Sequence, residues 1–158
     1  MTRVLLGSGG FRGEARRDFL CAQMREFFGD IQQLLFVPYA GGDYDKYVNL
    51  MIDAGFHAGY DLVGIHTFDD AAVAVENAEA VYVGGGNTFR LIDKLHSNGT
   101  LQALKQRVAG GMPYMGVSAG SNVACPTMQT TNDMPIVYPP SFDSLNICLL
   151  YTSPSPRD

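Results

Sequence analysis

The sequence predicts an α/β fold built on a mainly parallel sheet. Short apolar runs of β type alternate with longer helical patterns, which is the order of βαβ units. The runs LLFV (34–37) and VYV (81–83) are apolar without a break, as strands buried on both faces should be. Glycine-rich turns follow three of the runs, after Leu6, Val83 and Val117. In such sheets the chemistry sits at the carboxyl ends of the strands, so these turns are where function is to be sought.

The elements follow in order. Val4–Leu6 is the first strand and ends in Gly7-Ser8-Gly9-Gly10. A helix over about 14–28 places Phe19, Leu20, Met24 and Phe27 at helical spacing. Leu34–Val37 is the second strand, stopped by Pro38. The pattern over 43–58 predicts a helix with Tyr47, Leu50, Met51 and Ala54 on one side. Asp61–His66 is a third strand and 69–77 a short helix. Ala80–Val83 is a fourth strand, followed by Gly84-Gly85-Gly86-Asn87. Helices over 88–96 and 100–108 are separated at Asn98-Gly99. Tyr114–Val117 is a fifth strand, running into Ser118-Ala119-Gly120-Ser121 and a helix over 121–125.

The chain has 158 residues, 46% hydrophobic and 17% charged, enough apolar material for one core. Eleven Lys and Arg against sixteen Asp and Glu leave a charge of −5, which offers no basic patch for a nucleic acid or an anionic membrane. No apolar run approaches the roughly 18 residues of a membrane span, and Val4–Leu6 is too short for a signal-peptide core. The three cysteines, Cys21, Cys125 and Cys148, lack CxxC spacing, so a reduced, cytoplasmic setting is expected. Cys21 and Cys125 read as small buried hydrophobes.

After Ile147 the pattern stops. The run CLLYTSPSPRD (148–158) fits no helix or strand template and closely resembles the translation of a transposon-end sequencing adapter. Residues 1–147 are therefore expected to be the N-terminal part of a single domain, and 148–158 a non-native tail. A genuine Pro/Ser-rich C-terminus is the alternative.

Gly116-Val117-Ser118-Ala119-Gly120 is a G-x-S-x-G sequence between a strand and a helix, the setting a nucleophile elbow requires. The turn is so tight that only glycine fits two residues either side of the serine. Chance gives roughly 0.1 such matches in a chain of this size. Ser118 would stand at a helix N-terminus with the Ala119 N–H free to hold an oxyanion; the alternative is a βα turn with an incidental serine. At the second glycine turn, Gly86 could supply another oxyanion donor, and Asn87 or Thr88 could cap the helix or touch substrate. No Gly-Lys-Ser/Thr and no G-x-G-x-x-G follow, which weakens a nucleotide reading. Asp133, in TTNDMP (130–135), could orient a histidine, although from the residues alone an Asx-turn is the favoured reading. His57, His66 and His96 have no metal-like spacing, and no histidine follows Asp133. No metal site is expected. A nucleophile is visible without its base.

These residues resemble the aspartyl dipeptidase (dipeptidase E) family of serine peptidases. The likeness rests on LLFVPYAG (34–41), VENAEAVYVGGGNTFRL (75–91), GVSAGSNVACPT (116–127) and TTNDMPIVYPPSFDSLN (130–146). It implies a three-layer sandwich similar to the class I glutamine amidotransferases, incomplete here at its C-terminal end. It implies Ser118 as nucleophile, Ala119 and Gly86 as oxyanion donors, Asp133 as triad acid, and Asn87 and Thr88 beside the substrate. The substrate implied is a small dipeptide with an N-terminal aspartate, hydrolysed through an acyl-enzyme without a cofactor, in a protein that can form a homodimer. The family's histidine would lie beyond the point where the tail begins, so the chain as written is expected to be inactive. Three rivals remain: a cyanophycinase-like serine hydrolase, a non-catalytic binding protein on the same fold, and a glycine-loop nucleotide binder.

Overall fold

Strand residues alternate in direction, and the five strands use that alternation to fill two cores at once. The computed structural model describes residues 2–7, 13–124 and Leu145. In chain order the elements are β1 (Val4–Gly7), α1 (Glu14–Phe28), β2 (Gln33–Val37), α2 (Tyr44–Asp53), β3 (Asp61–Gly64), α3 (Ala71–Glu76), β4 (Val81–Val83), α4 (Thr88–Ser97), α5 (Thr100–Ala109), β5 (Tyr114–Val117) and α6 (Ala119–Asn122). The strands form one parallel sheet in the order β1-β5-β4-β2-β3. The predicted α/β class with a parallel sheet is observed.

Leu34 and Phe36 of β2 point to one face, where they meet Cys21, Met24 and Phe28 of α1 and Met51 of α2. Leu35 and Val37 point to the other, against α3, α4 and α5 through Val75, Leu91, Leu95 and Leu104. Helices therefore cover both faces, giving three layers. Each fully buried Leu in these cores should cost about 2–5 kcal/mol if cut to Ala. Leu145 joins the second core, its N–H donating to the Val123 carbonyl at 2.7 Å.

Three predicted boundaries differ. The helix expected over 43–58 stops at Asp53, because Gly55 has φ +83° and Ala58 φ 56°, which no right-handed helix continues through. The strand expected to run to His66 ends at Gly64, and Ile65–Thr67 forms a 3-10 turn. The helix expected from Ser121 begins two residues earlier, at Ala119, because the chain reverses at Ser118 itself. Cys21 is buried and unpaired with another cysteine, its Sγ 3.3 Å from the Gly55 carbonyl. Burial pushes its thiol pKa up, partly offset by nearby Arg25. Cys125 and Cys148, the turn over residues 8–12 and the segment 146–158 lie outside the described residues. Among the described residues no helix is long and apolar enough to cross a membrane.

Candidate active site

β5 and α6 join at Ser118 with no linker. Ser118 has φ 57° and ψ −108°, a backbone conformation that costs a non-glycine residue on the order of 1–3 kcal/mol. Its surroundings hold it there. The Ser118 N–H donates to the Gly7 carbonyl at 3.0 Å, and its own carbonyl accepts from the N–H groups of Ser121 and Asn122. Gly116 and Gly120 are needed for the reason the sequence gives. A Cβ on Gly116 would sit 2.5 Å from the Gly120 carbonyl oxygen, and one on Gly120 would collide with the Val83 carbonyl. The elbow predicted from G-x-S-x-G is thus present as geometry.

The turn after β4 lies directly beside it. A Cβ on Gly85 would stand 3.2 Å from the Ser118 Cβ and 3.8 Å from its Oγ. Gly86, with φ +133°, packs against the Ala40 backbone, where a Cβ would come within 2.5 Å of the carbonyl oxygen. The Asn87 N–H donates to that same oxygen at 3.0 Å. Ser118, Gly86 and Ala119 are therefore gathered at the carboxyl ends of β4 and β5. Among the described residues no carbonyl takes the backbone N–H of Gly86 or Ala119. Ser118 is half-buried.

Asn87 caps α4, its Oδ1 accepting from the Arg90 N–H at 3.2 Å. Thr88, expected beside the substrate, opens α4 next to Asn87. It is fully buried, and its Oγ1 accepts a hydrogen bond from Asn122 Nδ2 at 3.1 Å. Burial at the first turn of α4 makes it part of the site's scaffold. Asp133 lies outside the described residues.

None of the three histidines reaches the serine. His66 follows β3, three strands from β5, which at ~4.8 Å per strand is about 14 Å away. Its Nε2 pairs with Asp45 Oδ1 at 2.6 Å. His57 accepts from the Gly59 N–H through Nδ1, and His96 lies in the last turn of α4. Among the described residues no three His, Cys, Asp or Glu side chains cluster as a metal site.

Four residues that the sequence pattern did not single out for the site support it. The Tyr47 hydroxyl donates to the Gly85 carbonyl at 3.0 Å, and burial pushes its pKa up to about 12. The Tyr114 hydroxyl donates to the Gly120 carbonyl at 2.6 Å. Ser121 Oγ lies 2.6 Å from the Gly7 carbonyl oxygen and 2.9 Å from that of Gly116. Asn122 makes the bond to Thr88 already described. The Tyr47–Gly85, Ser121–Gly7 and Asn122–Thr88 contacts join elements 38, 114 and 34 residues apart, and no local pattern signals such pairs.

The sequence profile of Peptidase family S51 matches residues 4–156. The chain belongs to peptidase family S51. This S51 chain is 41% identical to Peptidase E of Streptomyces coelicolor, over 98% of its own length and 63% of that protein. It is 41% identical to a Drosophila melanogaster protein named "Probable alpha-aspartyl dipeptidase", over 90% of its length and 60% of the relative's. A solved structure from Listeria monocytogenes EGD-e, "a Putative Peptidase E Protein", superposes with a TM-score of 0.73 at 25% identity, covering 94% of this chain and 76% of that one. The chain thus spans somewhat less than two thirds of the two curated relatives named here. The family identified from GGGNT, SAGSN and TTNDMPIV is the one found.

Proposed function

We propose that the whole protein is a serine-type dipeptidase that hydrolyses Asp-X dipeptides through an acyl-enzyme. The observation that carries the reading is Ser118, held at positive φ on the β5–α6 elbow and facing the Gly85 turn. Family membership supports peptidase chemistry, and the name of the Drosophila relative supports an aspartyl substrate.

In this reading Ser118 Oγ attacks the carbonyl of the aspartyl residue as its proton passes to a base. The carbonyl oxygen becomes an oxyanion between the Ala119 and Gly86 N–H groups. The amine then leaves with a proton, and water attacks the ester to release aspartate and free the serine. Asn87, at the mouth of the turn, lies beside the substrate. The base, and the acid role of Asp133, belong to chain outside the described residues. Dimer formation is part of the same proposal. So is a cytoplasmic setting, which the free, buried Cys21 supports.

The test is hydrolysis of an Asp-X, Glu-X and Ala-X panel by the full-length protein, with Ser118→Ala beside it. Asp-X should be preferred, and the variant should lose at least about 10³-fold in kcat. Unchanged turnover by Ser118→Ala would refute the assignment.

A further inference from the structure

The two oxyanion donors sit on different elements, and a buried side-chain bond joins those elements close to both. Thr88 is the first residue of α4, two residues after Gly86. Asn122 is the last residue of α6, three residues after Ala119. Thr88 is 0% and Asn122 8% exposed, and Asn122 Nδ2 donates to Thr88 Oγ1 at 3.1 Å.

Position along α6 is not secured by α6 alone. A helix of four residues holds too few of its own hydrogen bonds to be stable in isolation. Towards the sheet it is tied by Ser121 to the Gly7 and Gly116 carbonyls and by Tyr114 to the Gly120 carbonyl. Those bonds set its height over β1 and β5. They do not set its distance from α4. The Asn122–Thr88 bond spans that gap. An oxyanion hole works only when both donors stand about 2.7–3.1 Å from the developing charge. A 1 Å displacement of such a group costs on the order of 10²-fold in rate.

We infer that Thr88 and Asn122 form a clasp that fixes the spacing between the Gly86 and Ala119 donors, and so act as positioning residues for the transition state. The inference rests on Ser118 and those two donors being the catalytic centre. A ground-state carbonyl demands less of the donors than an oxyanion, so the clasp should be felt in kcat and hardly in KM.

The experiment is steady-state kinetics on an Asp-X dipeptide with the full-length protein and its Thr88→Val, Thr88→Ser and Asn122→Ala variants. An aspartyl aldehyde, which adds Ser118 Oγ to its carbonyl carbon and leaves its oxygen in the hole, is the second probe. Thr88→Val and Asn122→Ala should lower kcat about 10–100-fold with KM within about threefold, and weaken the aldehyde by a similar factor. Thr88→Ser, which keeps the hydroxyl, should stay within about threefold of the parent. The double variant should lose less than the two single losses combined, since both break the shared bond. Thr88→Cys carries the same test if the two truncations do not fold. A folded Thr88→Val or Asn122→Ala (or Thr88→Cys in their place) with kcat within about threefold of the parent, or one of them losing kcat while aldehyde affinity holds, overturns the clasp. Failure of the underlying reading looks different: Ser118→Ala would keep its turnover.

Discussion

Ser118 occupies a backbone conformation that its own side chain disfavours, and the residues around it carry that cost. The clash met by a Cβ on Gly120 is with the Val83 backbone, which cannot swing aside as a flexible side chain would. Gly120→Ala should therefore lose about 3 kcal/mol of stability, the upper end of overpacking costs, read as a lowered denaturant midpoint. A loss below 0.5 kcal/mol would mean that the elbow is looser than described. Tyr47 acts from beneath the neighbouring turn. Tyr47→Phe removes the donor to the Gly85 carbonyl and should cost about 1 kcal/mol. The pH dependence follows from the raised phenol. Its pKa in the folded protein is about 12 against the ordinary 10.0, so its neutral form is the one folding favours. That contribution is complete below pH 10 and is lost as pH rises towards 12. The parent should lose stability more steeply over that window than the Phe variant, measured by urea unfolding at a series of pH values.

At the scale of elements, the helices and strands were legible where one pattern repeats and punctuation is clear. LLFV and VYV are strands because both faces of the sheet are covered. α1 and β5 fall where their patterns place them. The misreadings have local physical causes. Residues beyond Asp53 look helical in composition, yet Gly55 and Gly59 adopt positive φ and carry the chain away from the helix axis. β3 is cut short because Ile65 turns inward to full burial and the Phe68 N–H bonds back to its carbonyl, which closes a turn. In the site, Ser118 and its flanking glycines were legible because the turn demands those residue types in sequence. Tyr47 and Asn122 were not, because their roles depend on which elements lie side by side. α6 should depend visibly on its cross-ties. Ser121→Ala removes the hydroxyl held between the Gly7 and Gly116 carbonyls and should cost about 1–3 kcal/mol in thermal or denaturant unfolding. No measurable change would show that β5 alone secures the elbow.

Across the whole molecule, strand order explains why the glycine turns converge. β4 and β5 are neighbours although 30 residues separate Val83 from Tyr114, and their carboxyl ends bring the Gly84–Gly86 turn against Ser118. β3 lies at the far edge, which removes His66 from the chemistry whatever its protonation. The net charge of −5 does not oppose an anionic dipeptide, because local donors rather than the total decide recognition. Ser118 as the nucleophile is the centre of the proposed chemistry, and the most direct measurement is covalent. The full-length protein should be treated with a fluorophosphonate and the adduct located by peptide mass spectrometry. One adduct is expected, on Ser118, lost in Ser118→Ala and slowed in Thr88→Val. A protein that hydrolyses Asp-X yet carries no adduct at Ser118, or carries it on another residue, would contradict it.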